Sequence, residues 1–242
     1  MRVCADPDNL PYSRTDGTGF ENRIAAMIAA DMQATLTYEW LPLRRGFVRK
    51  TMGEGKCDLF VGVPKDFERV LTTRPYYRSS YVFVSRPEDR VVSFDDPRLA
   101  RLRIGVQLVG NDLAATPPGL ALAARGITDN VRGFTVFGEG PAAQRMIRAV
   151  AAKELDVAIA WGPQAAYFSA QIEPSLVVAP AKAPSDLAGV PFVYAIAAGV
   201  RRGDQALRDD VDAIIDRRRA EIDAILGEYR VPRADREPVL PR

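Results

Sequence analysis

The apolar and polar positions in the first quarter of the chain follow two alternating patterns. Residues 2–5 and 58–63 are short, nearly continuous apolar runs, which are typical of buried parallel strands. Between them, apolar residues recur at helical spacing over residues 19–32. A strand at 36–41 and a basic helix at 44–52 complete the order strand, helix, strand, helix, strand. This order predicts right-handed crossovers and a parallel sheet.

A second segment of the same kind follows. Its predicted elements are a strand at 102–107, a helix at 113–124, a strand at 133–137, a helix at 141–152 and a strand at 156–161. Pro141 suits the first turn of a helix, where its missing N–H leaves no bond unmade. We therefore expect an α/β protein of two lobes, each a mainly parallel sheet flanked by helices.

The composition changes between residues 173 and 191, where four prolines stand. Proline interrupts helices and strands, so this segment suits a connector that crosses between lobes. A strand at 192–199 and a long amphipathic helical stretch then close the chain. We expect a discontinuous first lobe, residues 1–84 plus 192–242, and a second lobe at 85–191 that includes the connecting segments.

Composition narrows the class of protein. The 242 residues are 47% hydrophobic and 26% charged, which is enough for a sizeable core. The net charge of +2 comes from 33 basic and 31 acidic residues mixed along the chain, so we expect no nucleic-acid partner. No apolar run reaches the roughly 20 residues that cross a bilayer, so we expect no membrane span. The chain opens on a strand, so the leader of an exported protein would precede this sequence.

Histidine is absent from the chain. That absence removes the imidazole base of Ser-His-Asp and Cys-His catalysis and the commonest transition-metal ligand. We expect no zinc site, no histidine-based catalytic centre and no cofactor.

The acidic stretch from Asp6 to Asn9 invites interpretation as a metal-binding loop. A calcium loop of the EF-hand type needs an oxygen ligand, a glycine and a glutamate where this chain has Leu10, Pro11 and Gly17. We therefore expect no metal there, and we expect Asp6 and Asn9 to hold the turn by hydrogen bonds to backbone amides.

Two cysteines, Cys4 and Cys57, each stand beside a predicted strand. Adjacent parallel strands would bring them together. A disulfide would close a loop of about 50 residues and stabilise the fold by ~3 to 4 kcal/mol through the unfolded state. It would also indicate an oxidising compartment such as the bacterial periplasm. Two buried free thiols are the alternative.

Four segments, in this order and spacing, resemble the periplasmic solute-binding proteins of the amino-acid-binding type. They are Gly19-Phe20-Glu21 with Ile24-Ala25, Gly55-Lys56-Cys57-Asp58-Leu59, Glu68-Arg69 with Arg74-Pro75-Tyr76-Tyr77, and Glu228-Tyr229-Arg230-Val231-Pro232. The resemblance implies the two-lobed periplasmic binding protein-like fold of type II, with a cleft between the lobes.

A longer match narrows this resemblance. Residues 4–12 (Cys-Ala-Asp-Pro-Asp-Asn-Leu-Pro-Tyr), 62–64 and 74–84 resemble the J proteins encoded with PQQ-dependent methanol dehydrogenases, MxaJ and XoxJ. The resemblance implies a periplasmic protein that assists or activates the dehydrogenase instead of feeding a transporter, and we favour the lanthanide-associated type. The implied partner is the methanol dehydrogenase, with a cognate cytochrome or a small ligand as further candidates.

The resemblance also indicates where a ligand would lie. In amino-acid-binding relatives an arginine at the position of Arg69 grips the ligand carboxylate through a bidentate pair, and a structural ion pair is the alternative. Trp161 stands where the relatives have the acid that holds the ligand amine. The loop with Gln107 and Asn111 replaces the small-residue loop that caps a carboxylate. These departures disfavour ordinary amino-acid binding.

Aromatic residues at strand ends then indicate a more apolar cleft, either a pocket or a docking surface for a partner segment. We expect Tyr12 and Trp161 to face this cleft and Phe20 to be core. Glu139 lies in the equivalent loop of the second lobe, and we interpret it as a helix-end charge and not as a base.

Three hypotheses follow from the sequence. The leading one is a non-catalytic accessory protein that binds the dehydrogenase or its maturation components through the cleft or its rim. The second is a binding protein that delivers a small apolar or carboxylated ligand to an ABC transporter. The third is an enzyme, because cyclohexadienyl dehydratases share this fold, but the missing histidine and Trp161 disfavour it.

Overall fold

Strands and helices alternate through most of the chain. The computed structural model describes residues 1–109, 114–135, 140–187 and 189–235. The strands, in chain order, are β1 Arg2–Ala5, β2 Asp8–Asn9, β3 Ser13–Arg14, β4 Thr37–Trp40, β5 Leu59–Pro64, β6 Leu71–Thr72, β7 Tyr77–Ser85, β8 Ile104–Val109, β9 Ala114–Ala115, β10 Val131–Phe134, β11 Val157–Trp161, β12 Val177–Pro180 and β13 Val193–Val200. The helices are α1 Phe20–Asp31, α2 Phe47–Lys50, α3 Pro117–Ala123, α4 Ala142–Ala151, α5 Gly162–Ser169, α6 Gln205–Arg217 and α7 Arg219–Glu228.

The chain forms two units. The first comprises Met1–Arg78 and Tyr194–Tyr229, and the second comprises Ser79–Val193 with the C-terminal segment from Arg230. The chain passes from one unit to the other near the starts of β7 and β13, whereas we expected boundaries at 84/85 and 191/192. The last described residues, 230–235, lie with the second unit, although we expected them in the first lobe.

The first unit contains a mixed sheet in the order β13-β5-β1-β4. β1 runs parallel to β4, from Arg2 opposite Thr37 to Ala5 opposite Trp40, and parallel to β5. These parallel pairs confirm the strand order predicted from the apolar runs. β13 is antiparallel to both β5 and the short β6, so the sheet is mixed at this side.

The second unit contains a sheet in which β8 lies between β10 and β11, both parallel to it. β7 is antiparallel to β11 and also pairs with β12. The proline-rich segment at 173–191 therefore contains a strand of this unit and is not only a connector. Pro180 ends that strand, a position at which a missing N–H is tolerated.

Several predicted helices are shorter or divided. Proline explains the late start of α3, because Pro117 and Pro118 suit only a first helical turn, and the residues ahead of them pair as β9. The basic helix predicted at 44–52 is reduced to α2 by Gly46, whose φ of +89° is not helical. The closing helical stretch divides at Arg218 into α6 and α7.

An aspartate at the start of the third parallel strand ties the first strand to it in each unit. Asp58 accepts hydrogen bonds from the Arg2 amide and from Arg2 Nη2, both at 2.9 Å. Asp156 accepts from the Arg103 amide at 2.8 Å and from Arg103 Nη2 at 2.7 Å, and these bonds hold its pKa well below the usual range. In the first unit, the turn at residues 55–58, Gly-Lys-Cys-Asp, therefore has a structural role at the amino ends of the strands.

The two cysteines are joined as predicted. The Cys4 and Cys57 sulfurs form a disulfide with the Cα atoms 5.5 Å apart, which rules out the alternative of two free thiols. The bridge is buried in a cluster that includes Phe47, Met52 and Phe60. It thereby fixes the residues around α2 to β1 and to the segment that enters β5.

Gly19 precedes α1 at a point where no side chain fits. A Cβ added there would lie 2.0 Å from Tyr12 O and 2.5 Å from Ser13 Cα, both backbone atoms. We expect Gly19→Ala to lower the free energy of unfolding by about 2 kcal/mol, because the backbone near Tyr12 must shift. Urea unfolding measures this loss. Gly227→Ala in α7 is the matched control, since a Cβ there meets nothing within 4 Å; an equal loss in both variants would contradict the packing argument.

Candidate functional site

The loop that leaves β1 in the first unit is held by its own polar groups. Asp6 Oδ1 accepts from the Asp8 amide at 2.9 Å, and Asp6 Oδ2 accepts from the Leu43 amide at 2.5 Å. The prediction that Asp6 holds the turn is confirmed. The Tyr12 amide donates to Asn9 O at 2.9 Å, which fixes the end of the hairpin formed by β2 and β3. The sequence from Asp6 to Tyr12 therefore builds a defined loop at the carboxyl end of β1.

Tyr12 lies partly exposed beside a buried aromatic cluster. Its ring packs edge-on against Phe20 with the centroids 5.3 Å apart. Phe20 is fully buried and also contacts Tyr77 and Tyr229, so it is core, as expected. Tyr12 thus lies at the margin of the core and is partly exposed.

Arg69 lies in the turn between β5 and β6 and is exposed. Its guanidinium forms no ion pair or hydrogen bond with the residues that the structure describes. The neighbouring Val70 is buried and anchors the turn, because a Cβ at Gly199 would lie 2.6 Å from Val70 Cγ2. A structural ion pair was the alternative role for Arg69, and within the described chain that pair is not formed.

Glu21 was not among the predicted site residues, although it belongs to the Gly19-Phe20-Glu21 segment that carries part of the family resemblance. It lies in the first turn of α1, where its amide donates to Tyr12 O at 2.9 Å. Its carboxyl group lies against β5, since a Cβ at Gly62 would be 1.9 Å from Glu21 Oε1. Burial raises the pKa of Glu21 to about 8. An acid in the first turn of a helix is usually a solvated charge that interacts favourably with the helix dipole, so the sequence did not indicate a binding role for this one.

In the second unit, two predicted site residues lie at the carboxyl ends of adjacent parallel strands. Gln107 is one residue beyond Val106, and Trp161 is two residues beyond Ile159, the partner of Val106 in the β8–β11 register. Both are partly exposed. In α/β sheets ligands bind at this edge, so the placement of the two residues agrees with a binding role.

The backbone and neighbours of Trp161 fix its position. Its ring packs edge-on against Tyr81 with the centroids 5.4 Å apart. Gly162, the first residue of α5, packs closely against its neighbours. A Cβ at this position would lie 2.5 Å from Ser80 O and 3.2 Å from Pro232 Cγ. Only glycine fits there, so the Trp-Gly-Pro sequence sets both the strand end and the start of the helix.

The other predicted site residues, Asn111 and Glu139, lie outside the described residues. Within the described ranges no group of three histidine, cysteine, aspartate or glutamate side chains could hold a metal ion. Likewise, none of the described helices is long and apolar enough to cross a bilayer.

Each unit therefore offers a set of binding groups at its own strand ends. The first unit has an exposed cation in Arg69, a carboxyl in Glu21 and the phenol of Tyr12. The second has the indole of Trp161 and the amide of Gln107. Aromatic rings, an arginine and an amide are groups that recognise a ligand or a partner chain.

Comparison with known proteins agrees with this architecture. The bacterial extracellular solute-binding proteins, family 3, match residues 1–230. MoxJ of Methylorubrum extorquens is 33% identical over 250 residues, which cover 96% of this chain and 81% of MoxJ.

Two solved structures share the fold over almost the whole chain. The periplasmic binding protein XoxJ from Methylobacterium extorquens AM1 has a TM-score of 0.81 and 33% identity, with 98% of this chain and 100% of that chain covered. MxaJ from Methlophaga aminisulfidivorans MPT has a TM-score of 0.84 and 24% identity, with 96% and 99% covered, and supports the fold alone. The predicted fold class is confirmed, and the chain belongs to the bacterial extracellular solute-binding proteins of family 3.

Proposed function

We propose that this chain is a non-catalytic periplasmic accessory protein that assists the activation or maturation of a PQQ-dependent methanol dehydrogenase of the lanthanide type. The observation that carries the proposal is the similarity to MoxJ and XoxJ, each at 33% identity over nearly the whole chain. The resemblance of residues 4–12 to the J proteins points the same way. The buried disulfide suits the oxidising periplasm.

The strand-end residues support recognition of a protein segment over an amino acid. Trp161 occupies the position at which the resemblance predicts an acid for the ligand amine, and it is partly exposed. Tryptophan, tyrosine and arginine contribute most of the energy in many protein interfaces, and Tyr12, Trp161 and Arg69 are residues of these types. Tyr12, Trp161 and Arg69 are therefore the residues that bind the partner in this proposal.

Native mass spectrometry with the purified cognate apo-dehydrogenase tests the proposal. We expect a complex at micromolar concentration, and we expect Trp161→Ala and Arg69→Ala each to weaken it about tenfold, since truncating such residues commonly costs more than 1 kcal/mol. Circular dichroism confirms that each variant is folded. No complex, and no increase in dehydrogenase activity after incubation with this protein, would contradict the proposal.

Arg90→Ala provides the matched control for an arginine substitution. Arg90 is exposed and follows β7, whose last residue, Ser85, pairs with Val157 at the start of β11. It therefore lies toward the amino ends of the second unit's parallel strands, away from Trp161. We expect its removal to leave the affinity unchanged.

Delivery of a small ligand to an ABC transporter is the second candidate function. The exposed guanidinium of Arg69, which makes no ion pair or hydrogen bond with the described residues, favours it, because a bidentate arginine is a common carboxylate receptor. A thermal-shift screen of small carboxylates and apolar compounds discriminates, since a ligand at 100 times its Kd adds about 2.7 kcal/mol of stability. A saturable shift without dehydrogenase binding would favour this second function.

A further inference from the structure

Glu21 is an ionisable group without a structural partner in the first unit. Among the residues that the structure describes, its carboxyl group accepts no hydrogen bond and forms no ion pair. Arg23, two residues further along α1, is itself bound to Glu228 of α7. Glu21 is partly buried. A partly buried carboxyl group that makes no such bond contributes nothing evident to the fold, and such groups concentrate at functional sites.

The carboxyl group of Glu21 occupies space that only a glycine leaves open. A Cβ at Gly62 would lie 1.9 Å from Glu21 Oε1 and 2.7 Å from its Cδ. Gly62 is in the carboxyl-terminal half of β5, which is parallel to β1. The group therefore lies at the edge of the first unit's sheet where α/β proteins bind ligands, beside the loop that carries Tyr12.

The titratable groups that interact with the Glu21 carboxyl are phenols. Burial raises the pKa of Tyr38 on β4, and the negative charge of Glu21 adds to that rise. Burial also raises the pKa of Tyr76 well above its ordinary value, and Glu21 contributes again. Neither phenol ionises between pH 6 and 9. Of these three groups, only Glu21 changes its charge in that range, because burial raises its pKa to about 8.

We propose that Glu21 is a binding residue and that the strand-end face of the first unit receives a primary ammonium group at its carboxylate. A partly buried carboxylate is stabilised by a neighbouring positive charge, and the described residues place none within ion-pair distance of this one. A single carboxylate gives too few oxygen ligands for a divalent cation, and the described residues contain no cluster of three ligating side chains. The partly exposed phenols of Tyr12 and Tyr38 add aromatic faces that attract ammonium groups.

The ammonium group has two sources, an alkylamine ligand or a lysine side chain of a partner protein. The inference rests on the proposed function, since it names the chemical group that this face of the binding protein recognises. The test does not use the dehydrogenase, so the two proposals fail separately. A dehydrogenase complex without ammonium binding would overturn the role of Glu21 alone, and ammonium binding without a complex would overturn the proposed function alone.

NMR titration of the full chain measures the affinity for n-propylammonium and for Nα-acetyl-lysine methylamide at pH 7 and pH 9. Both probes stay cationic in this range. The ionised fraction of a group with a pKa of about 8 rises from roughly one tenth to nine tenths, so we expect the apparent affinity to rise about tenfold. Shifts of the Glu21 carboxyl carbon and the Gly62 amide locate the contact. Preference for the lysine analogue indicates a protein partner, and preference for propylammonium indicates a small amine.

Two variants test the residue itself. Glu21→Gln keeps the shape and removes the charge, so we expect it to abolish the rise in affinity with pH. Gly62→Ala keeps the charge and displaces the carboxyl group, so we expect weaker binding at both pH values. Glu228→Gln is the matched control, because Glu228 is exposed and already paired with Arg23, and it should behave as the parent chain does. Absence of binding up to about 50 mM of either probe, a pH-independent affinity, or tighter binding of butyrate would overturn the inference.

Discussion

Removal of the Cys4–Cys57 disulfide is expected to lower the free energy of unfolding by about 4 kcal/mol. The two cysteines are 53 residues apart in sequence, and closing a loop of that size restricts the unfolded chain by roughly this amount. Both residues are almost fully buried, so the native bridge also resists reductants until the first unit opens. Urea unfolding of the Cys4→Ala, Cys57→Ala double variant against the oxidised parent measures the loss.

The single variants provide the control. Because either substitution alone breaks the bridge, Cys4→Ala and Cys57→Ala should each lose nearly as much stability as the double variant, and the three losses should be far from additive. Losses of the two single variants that add to that of the double variant would show that sulfur packing, and not the cross-link, stabilises the protein. The second unit contains neither cysteine, so hydrogen exchange should show the loss mainly in the first unit.

The order of the parallel strands could be predicted because each is a nearly continuous apolar run. The run at 58–63 became β5 and the run at 156–161 became β11, with boundaries shifted by one residue. β7 could not be found this way. Its first half contains Ser79 and Ser80, which look like loop residues, yet both are buried in the structure. Ser79 Oγ donates to Pro232 O at 2.7 Å, so a partner far along the chain makes the burial of this polar residue tolerable.

Helix α5 was missed although the sequence contained a signal for it. Pro163 follows Gly162 directly after a buried strand, and proline is favoured in the first turn of a helix. The helix was overlooked because its eight residues are mostly small and apolar, so no amphipathic period marks them. Short buried helices of this kind are recognised by their ends more readily than by their period.

The predicted site residues could be placed at strand ends because strand assignment alone sets that position, as for Gln107 and Trp161. The isolation of Glu21 could not be predicted in the same way. It depends on Gly62, far along the chain, leaving space beside β5, and on Arg23 being bound to Glu228. Neither condition leaves a local pattern in the sequence, because both are contacts between elements.

The second large effect is a gain in stability on substitution of Glu21. The pKa of its carboxyl group rises from 4.5 to about 8 on folding, so the folded chain holds the proton more tightly than the unfolded chain does. Unfolding then releases a proton between these values, and the free energy of unfolding falls as pH rises from 4.5 through 8. For a fully buried carboxyl group, this pKa shift would lower the free energy of unfolding above pH 8 by about 5 kcal/mol. Glu21 is partly exposed, so we expect a decrease of roughly 2 to 3 kcal/mol.

Glu21→Gln removes this decrease in stability, so the variant should be more stable than the parent chain at pH 9 by roughly 2 kcal/mol. This figure already allows for the loss of the favourable interaction between the Glu21 charge and the helix dipole, about 0.5 kcal/mol. At pH 4, where Glu21 is protonated in both states, the gain should vanish. Urea unfolding at the two pH values measures the difference. Glu228→Gln is the control with the opposite sign, because the hydrogen bond from Arg23 lowers the pKa of Glu228, so its substitution should stabilise the protein at neither pH. An equal effect of Glu21→Gln at pH 4 and pH 9 would show that the carboxyl group is solvated. A gain in stability confined to high pH would show that the protein retains a destabilising acid at the sheet edge where we propose that the ammonium group binds.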